Sequence, residues 1–192
     1  MGHPARAATL ILTSVVLVAC ADASRPTGPT ATPSLARQSG EDHERQVAMM
    51  DACDPTTFDA AVGPGTCVRN GGVTFQQFIA QLQTHGSVGA WHFAPPDLEV
   101  EVGATLVAVN RGGEVHTFTE VEHFGGGIVP SLNALSGDPV PVAECLALES
   151  DDFVPPGGTD RDDVDEPGTE LYQCCIHPWM RTVVHAHAHH GA

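Results

Sequence analysis

The chain has no lysine: all 8 of its basic residues are arginine, set against 24 acidic ones, and the formal charge is -16. So negative a surface repels a phosphate backbone, and nucleic-acid binding is disfavoured. Long hydrophobic runs are missing as well. The one apolar stretch, residues 7–19, follows Arg6 and is interrupted only by Thr9, Thr13 and Ser14. It is too short to span a bilayer as a mature helix and reads as a signal peptide over residues 1–19.

Leu17-Val18-Ala19-Cys20 resembles the bacterial lipobox, which implies cleavage before Cys20 and lipidation of its thiol. An ordinary signal peptide cut near Ala19 or Ala21 is the alternative, and either way the chain is exported. A lipid on Cys20 would place it in the periplasm or at the cell surface, held to a membrane. Residues 20–44 are rich in Pro, Thr, Ser and Ala without an apolar period, as expected of a disordered tether. What remains suffices for one domain with an extension. In the extension, residues 45–89, Phe75, Phe78, Ile79 and Leu82 fall at i, i+3, i+4 and i+7 behind Thr74. That spacing predicts a short amphipathic helix, capped by Thr74, covering the core.

Chemistry concentrates near the C-terminus, where Cys174, His177 and Met180 stand at Cys-x-x-His-x-x-Met spacing. A thiolate, an imidazole and a thioether are three of the four donors of a mononuclear copper site. Soft sulfur favours Cu(I), and imidazole accepts both oxidation states. Cys175 competes for the register, but Cys-x-x-His selects Cys174, and adjacent residues on a strand point to opposite faces. The missing donor is a second His, for which His116 is the candidate. Leu98, Val100 and Val102 alternate with Glu99 and Glu101, residues 105–109 are β-rich, and Asn110-Arg111-Gly112-Gly113 reads as a turn. Residues 98–119 are therefore read as antiparallel sheet, with His116 on the strand after the turn.

At this point the sequence resembles the cupredoxins, the family of plastocyanin, pseudoazurin and amicyanin. The resemblance covers residues 90–184 and rests on Phe93-Ala94-Pro95, the strand at 98–102, Gly103, the strand at 105–109, Asn110, His116 and the loop Cys174, His177, Met180. It implies an all-β fold, a Greek-key β-sandwich of cupredoxin type, from which this chain departs by its small helical N-terminal extension and by a long insertion at about 122–168, since the stretch between His116 and Cys174 is longer than a small member of the family needs. It also implies one type 1 copper ion held by His116, Cys174, His177 and Met180, with electrons leaving by the edge of His177 between Pro178 and Trp179. The expected role is that of a monomeric electron carrier between redox partners, not an enzyme. A copper-delivery protein of the cell envelope and a metal-free structural sandwich are the alternatives. A binuclear copper centre needs two Cys separated by three residues, and a multicopper oxidase needs a His beside the ligand Cys. Gln173 and Cys175 flank Cys174 instead.

With Cys20 lipidated and Cys174 on copper, four of the 6 cysteines remain. An even remainder in an exported chain suggests two disulfides, among three pairings. Closeness favours Cys53 with Cys67. Cys145 with Cys175 would then clamp the insertion to the ligand loop, unless Cys175 is a free buried thiol. Two polar features are left over. Asp160-Arg161-Asp162-Asp163-Val164-Asp165-Glu166 reads as a solvated acidic loop, with partner steering or weak Ca²⁺ binding as alternatives. The tail at 185–192, with His185, His187, His189 and His190, is either a flexible terminus or a trap for Cu(II), Ni(II) or Zn(II).

Overall fold

The computed structural model describes residues 43–188. Readings that fall on residues 1–42, including the signal, Cys20 and most of the tether, and on 189–192 lie outside the described residues. No helix among the described residues is long and apolar enough to cross a membrane.

Two four-stranded sheets face one another. The first holds β1 (Glu44–Met50), β2 (His92–Ala94), β4 (Thr105–Asn110) and β6 (Thr159–Asp163) in the order β2-β1-β4-β6. The second holds β3 (Asp97–Glu101), β5 (Thr119–Val121), β7 (Gly168–Gln173) and β8 (Arg181–His187) in the order β3-β8-β7-β5. Alternation supplies the core: Val47, Met49, Leu106 and Ala108 point inward from one sheet, and Val100, Tyr172, Val184 and Ala186 from the other. Phe118 stacks on Tyr172 at 4.4 Å between ring centroids and meets Phe93 at 5.5 Å, filling the middle of the sandwich. The all-β two-sheet expectation is met.

Several local expectations change. β3 and β4 are consecutive and strand-like, as the alternation predicts, but they belong to different sheets and do not form an antiparallel pair. β3 lies parallel to β8, and β4 lies between parallel β1 and antiparallel β6. His116 stands between strands, in an isolated bridge with Val154. Periodicity identifies a strand but carries no record of its neighbour. β1 lies in what reads as extension, yet it is interior to the first sheet, so the sandwich begins at Glu44. Much of the acidic run is not a loop but edge strand β6, whose residues alternate between exposed and half-buried. Charge on an edge strand resists pairing with another chain. β8 likewise runs through His185 to His187, so those two residues are strand and not tail.

Helices gather at one end. α1 (Pro55–Ala61) is capped by Asp54, whose side chain accepts from the Thr57 N–H. α2 (Phe75–His85) carries a full capping box between Thr74 and Gln77 and buries Phe78 and Leu82, as its spacing predicts. Phe58 of α1 meets Phe75, Phe78 and Trp91 within 5.7 Å, so the pair docks on the sandwich through aromatic contacts. Between β5 and β6, α3 (Pro130–Ser136) packs against α2, and α4 (Ala143–Leu146) packs through Cys145 on Val121 of β5 and Leu171 of β7.

Both disulfides are present. Cys53 is bonded to Cys67, and Cys145 of α4 to Cys175 just beyond β7. Cys174 is left as a buried free thiol, while Cys175 is taken up in the disulfide. The clamp needs a very close crossing of chains. Ile128 donates its N–H to the Cys175 carbonyl at 2.7 Å, and a Cβ on Gly127 would stand 1.8 Å from that same oxygen. Buried Asn133 holds the Gly127 peptide from both sides, accepting from its N–H and donating to its C=O at 2.8 Å.

Gly127→Ala should therefore cost about 2–4 kcal/mol in chemical denaturation, as backbone clashes that break a buried hydrogen bond do. Gly168→Ala, where a Cβ meets nothing within 4 Å, serves as control and should shift stability by less than about 0.5 kcal/mol.

Candidate metal centre

The ligand loop is short and closed by its own backbone. The Cys174 N–H donates to the Met180 carbonyl at 3.0 Å, and the Met180 N–H to the His177 carbonyl at 2.9 Å. These two bonds hold Cys174, His177 and Met180 on one tight turn between β7 and β8. All three side chains are buried, Cys174 and Met180 at 0% exposure and His177 at 3%.

His116 reaches the same place from the facing loop. Asn110, buried at the end of β4, donates to the carbonyls of Glu114 and Val154 and accepts from the Gly112 N–H. The turn read at 110–113 is thus fixed by one amide side chain, and His116 follows it against Val154. The result is a buried triad in which the Cys174 Sγ lies 3.7 Å from the His116 Nδ1 and 3.8 Å from the His177 Nδ1. With bonds of about 2.0 Å to nitrogen and about 2.3 Å to sulfur, one ion in a trigonal plane spaces N and S about 3.7 Å apart, and a tetrahedral one about 3.5 Å. Both sulfur–nitrogen separations are of the size one shared ion needs, and all three donor atoms lie within 4.8 Å of one another. His116, Cys174 and His177 are thus brought together as the sequence predicts, with Met180 buried on the same loop.

Two residues that no spacing singles out complete the arrangement. The far nitrogen of each imidazole faces a carboxylate. His116 Nε2 lies 2.9 Å from Asp51 Oδ2, and His177 Nε2 lies 3.7 Å from Glu114 Oε2. A carboxylate behind an imidazole fixes its tautomer and turns the other nitrogen's lone pair toward the metal position. Asp51 also accepts from the N–H groups of Gly113 and Glu114, and a Cβ on Gly112 would come within 1.9 Å of its Oδ2. Gly112 is the residue that lets the carboxylate approach. Glu114 accepts from the Trp91 indole N–H at 2.6 Å.

These contacts set the protonation of the metal-free site. Burial works to raise the Asp51 carboxyl, but the hydrogen bond to His116 and the two backbone N–H donors hold it at about 2. Burial likewise opposes charge on His116, yet Asp51 and Cys174 raise it to about 9. Cys174 is pushed up by burial and brought well below the ordinary thiol value by the two imidazoles. Glu114 is raised by burial, against the pull of His177 and Trp91. The thiol is poised as the thiolate, which is the form that binds metal. The Thr117 N–H stands 3.5 Å from the sulfur, and the Thr117 hydroxyl accepts from the Cys175 N–H at 2.8 Å.

The His177 ring is covered by side chains from outside the ligand loop as well as from within it. Phe78 of α2 packs edge-on against the ring at 6.4 Å, and Trp179 meets it at 5.5 Å. The helical pair that precedes β2 covers this end of the sandwich, and a sequence motif confined to the ligand loop says nothing about a cover supplied from elsewhere. Beside the covered ring, an apolar hollow of about 280 Å³ lies between α1, α2 and α3, lined by Phe58, Phe75, Ile79, Leu132 and Leu135, with His177 and Glu114 also in its wall.

Asp51 makes the metal-free protein sensitive to acid. Its folded pKa of about 2 lies below the ordinary 3.8, so its stabilising contribution is present above about pH 4 and is lost as pH falls through about 2. Wild-type apoprotein should lose about 2 kcal/mol across that window. Asp51→Asn, followed by denaturant midpoints at each pH, should lack that component of the decline.

No protein-family model and no curated protein matches the chain. Among solved structures it is similar to a purple cupredoxin from Nitrosopumilus maritimus, at 16% identity over 74% of this chain and 98% of that one, with a TM-score of 0.42. It is also similar to plastocyanin from Dryopteris crassirhizoma, at 15% identity over 74% of this chain and 100% of that one, TM-score 0.39. A reduced amicyanin mutant matches at 25% identity over 48% of this chain and 70% of that one, TM-score 0.33. Overlaps at this level carry no weight for function, which has to come from the site's own atoms.

Proposed function

We propose that this chain is a cupredoxin-type protein with a single type 1 copper ion, carrying one electron at a time between exported redox partners. The observation that supports it best is the buried His116, Cys174 and His177 donor set, spaced at 3.7 and 3.8 Å about the sulfur. Copper bound there would supply a one-electron couple. The chain's own residues do the rest. Cys174 would offer a thiolate, His116 and His177 two imidazoles, and Met180, buried on the same turn, a thioether. A hydrogen bond to Asp51 holds the His116 imidazole, Glu114 stands behind His177, and close packing keeps solvent from the site. Donors fixed before metal arrives favour a geometry that changes little with oxidation state. A set of four protein donors leaves no position for a substrate, so no catalysis is proposed.

Export is part of the same reading. The two disulfides favour an oxidising compartment. The lipobox-like run ending at Cys20 supports a lipid anchor at the periplasmic or outer face of a membrane. A membrane-tethered monomer would then meet a donor and an acceptor by reorienting on its tether. Copper delivery, the other reading, predicts transfer of the ion to an acceptor apoprotein instead of reversible voltammetry.

Adding one equivalent of Cu(II) to the full chain should produce an intense thiolate-to-copper absorption band. The band should vanish in Cys174→Ala and survive in the double variant Cys145→Ala/Cys175→Ala. Weak d–d absorption alone in the wild type would end the type 1 reading.

Two substitutions should tune the potential without abolishing the band. Met180→Leu removes the weak axial donor and should raise it. Asp51→Asn removes a buried negative charge that favours the oxidised ion. A unit charge about 6 Å away in an effective dielectric of about 20 is worth about 3 kcal/mol, on the order of 100 mV for one electron. Protein-film voltammetry should therefore show a rise of that order, and a fall would contradict the role given to Asp51.

A further inference from the structure

The outer face of the second sheet carries a second set of metal-type donors, separate from the buried site. β3 and β8 run parallel, with Glu99 opposite His185 and Glu101 opposite His187. Val100, Val184 and Ala186 point into the core, so Asp97, Glu99, His185 and His187 share the solvent face. His185 Nε2 lies 3.4 Å from Asp97 Oδ2, and His187 Nε2 is hydrogen-bonded to Glu99. The donor atoms of Asp97, Glu99 and His185 all lie within 4.8 Å of one another.

Isolated His–carboxylate pairs are common on protein surfaces. Here two such pairs stand side by side, each from positions i and i+2 of a hydrogen-bonded strand, so the backbone fixes all four Cα positions. Two donors each about 2.1 Å from a tetrahedral ion lie about 3.4 Å apart, the separation found between His185 and Asp97, and His187 stands outside that group of three but touches Glu99. We propose that Asp97, Glu99, His185 and His187 form a second, surface site for a divalent transition metal, Zn(II) or Cu(II). Two imidazoles and two carboxylates suit these borderline ions. The absence of sulfur disfavours Cu(I), and the two nitrogens disfavour Ca²⁺ and Mg²⁺. Both halves of the site come from different strands, so the ion would tie β8, at the C-terminal end of the fold, to β3.

Zn(II) alone is the probe. Full-length protein is equilibrated with excess ZnCl₂, freed of unbound metal by gel filtration and assayed for zinc per chain. This count does not depend on whether the buried site takes copper. Asp97→Asn/Glu99→Gln and His185→Ala/His187→Ala should each retain one zinc fewer than wild type and an unchanged far-UV dichroism spectrum. Asp151→Asn/Asp152→Asn, which removes the same charge as the first pair from another part of the surface, should retain the wild-type count. The site is disproved if either of the first two variants keeps the full count, or if the charge control loses the same equivalent.

Discussion

A thiolate in a water-free interior is costly, and the arrangement around Cys174 answers that cost. Its sulfur is buried completely, with an imidazole nitrogen on either side and a peptide N–H from Thr117. The imidazoles in turn are backed by Asp51 and Glu114, so a carboxyl group stands behind each ring. A buried ionised group is tolerable only when each layer satisfies the next. Much of the local structure serves those layers. Asn110 fixes the loop that carries Glu114 and His116, Gly112 leaves room for Asp51, and Trp91 donates to Glu114.

The sequence discloses part of this and conceals the rest for reasons of distance. Cys174, His177 and Met180 are neighbours on one turn, so their spacing is itself a geometric statement. His116 is legible because Asn110 and the glycine turn mark where its loop begins. Asp51 has no such marker. It lies 65 positions before His116 and is brought there by β1, a strand whose partners are chosen by tertiary packing. Glu114 is only two residues from His116, but its role depends on His177 lying across the sandwich. The same reason explains the sheet assignments: alternation finds β3 and β4 within a residue or so and cannot say that they part to opposite sheets.

The helical pair α1 and α2 changes the character of the site's end. Without it the His177 ring would sit at a rim. With it, Phe78 and Trp179 stand across the ring, and the cap is itself stapled by the Cys53–Cys67 disulfide. In the proposed carrier, a donor or acceptor would pass its electron across an added layer of aromatic side chain, which would lengthen the path and narrow the directions from which it is open. Selectivity among partners would then be set by the cap as much as by the ligand loop.

The adjacency of Cys174 and Cys175 bears on how the molecule is made. An oxidising compartment offers every thiol a partner, and a wrong pairing at Cys174 would destroy the site before any metal reached it. The fold sorts the two by direction. Cys174 turns into the main core between His116 and His177, while Cys175 turns into the smaller cluster with Val121 and Val142, where Cys145 waits. Oxidation of that pair takes up Cys145 and Cys175 and leaves Cys174 as the free cysteine among the described residues. The clamp on the ligand loop is thereby also a safeguard during maturation: the same covalent bond that stiffens the loop keeps its neighbour reduced.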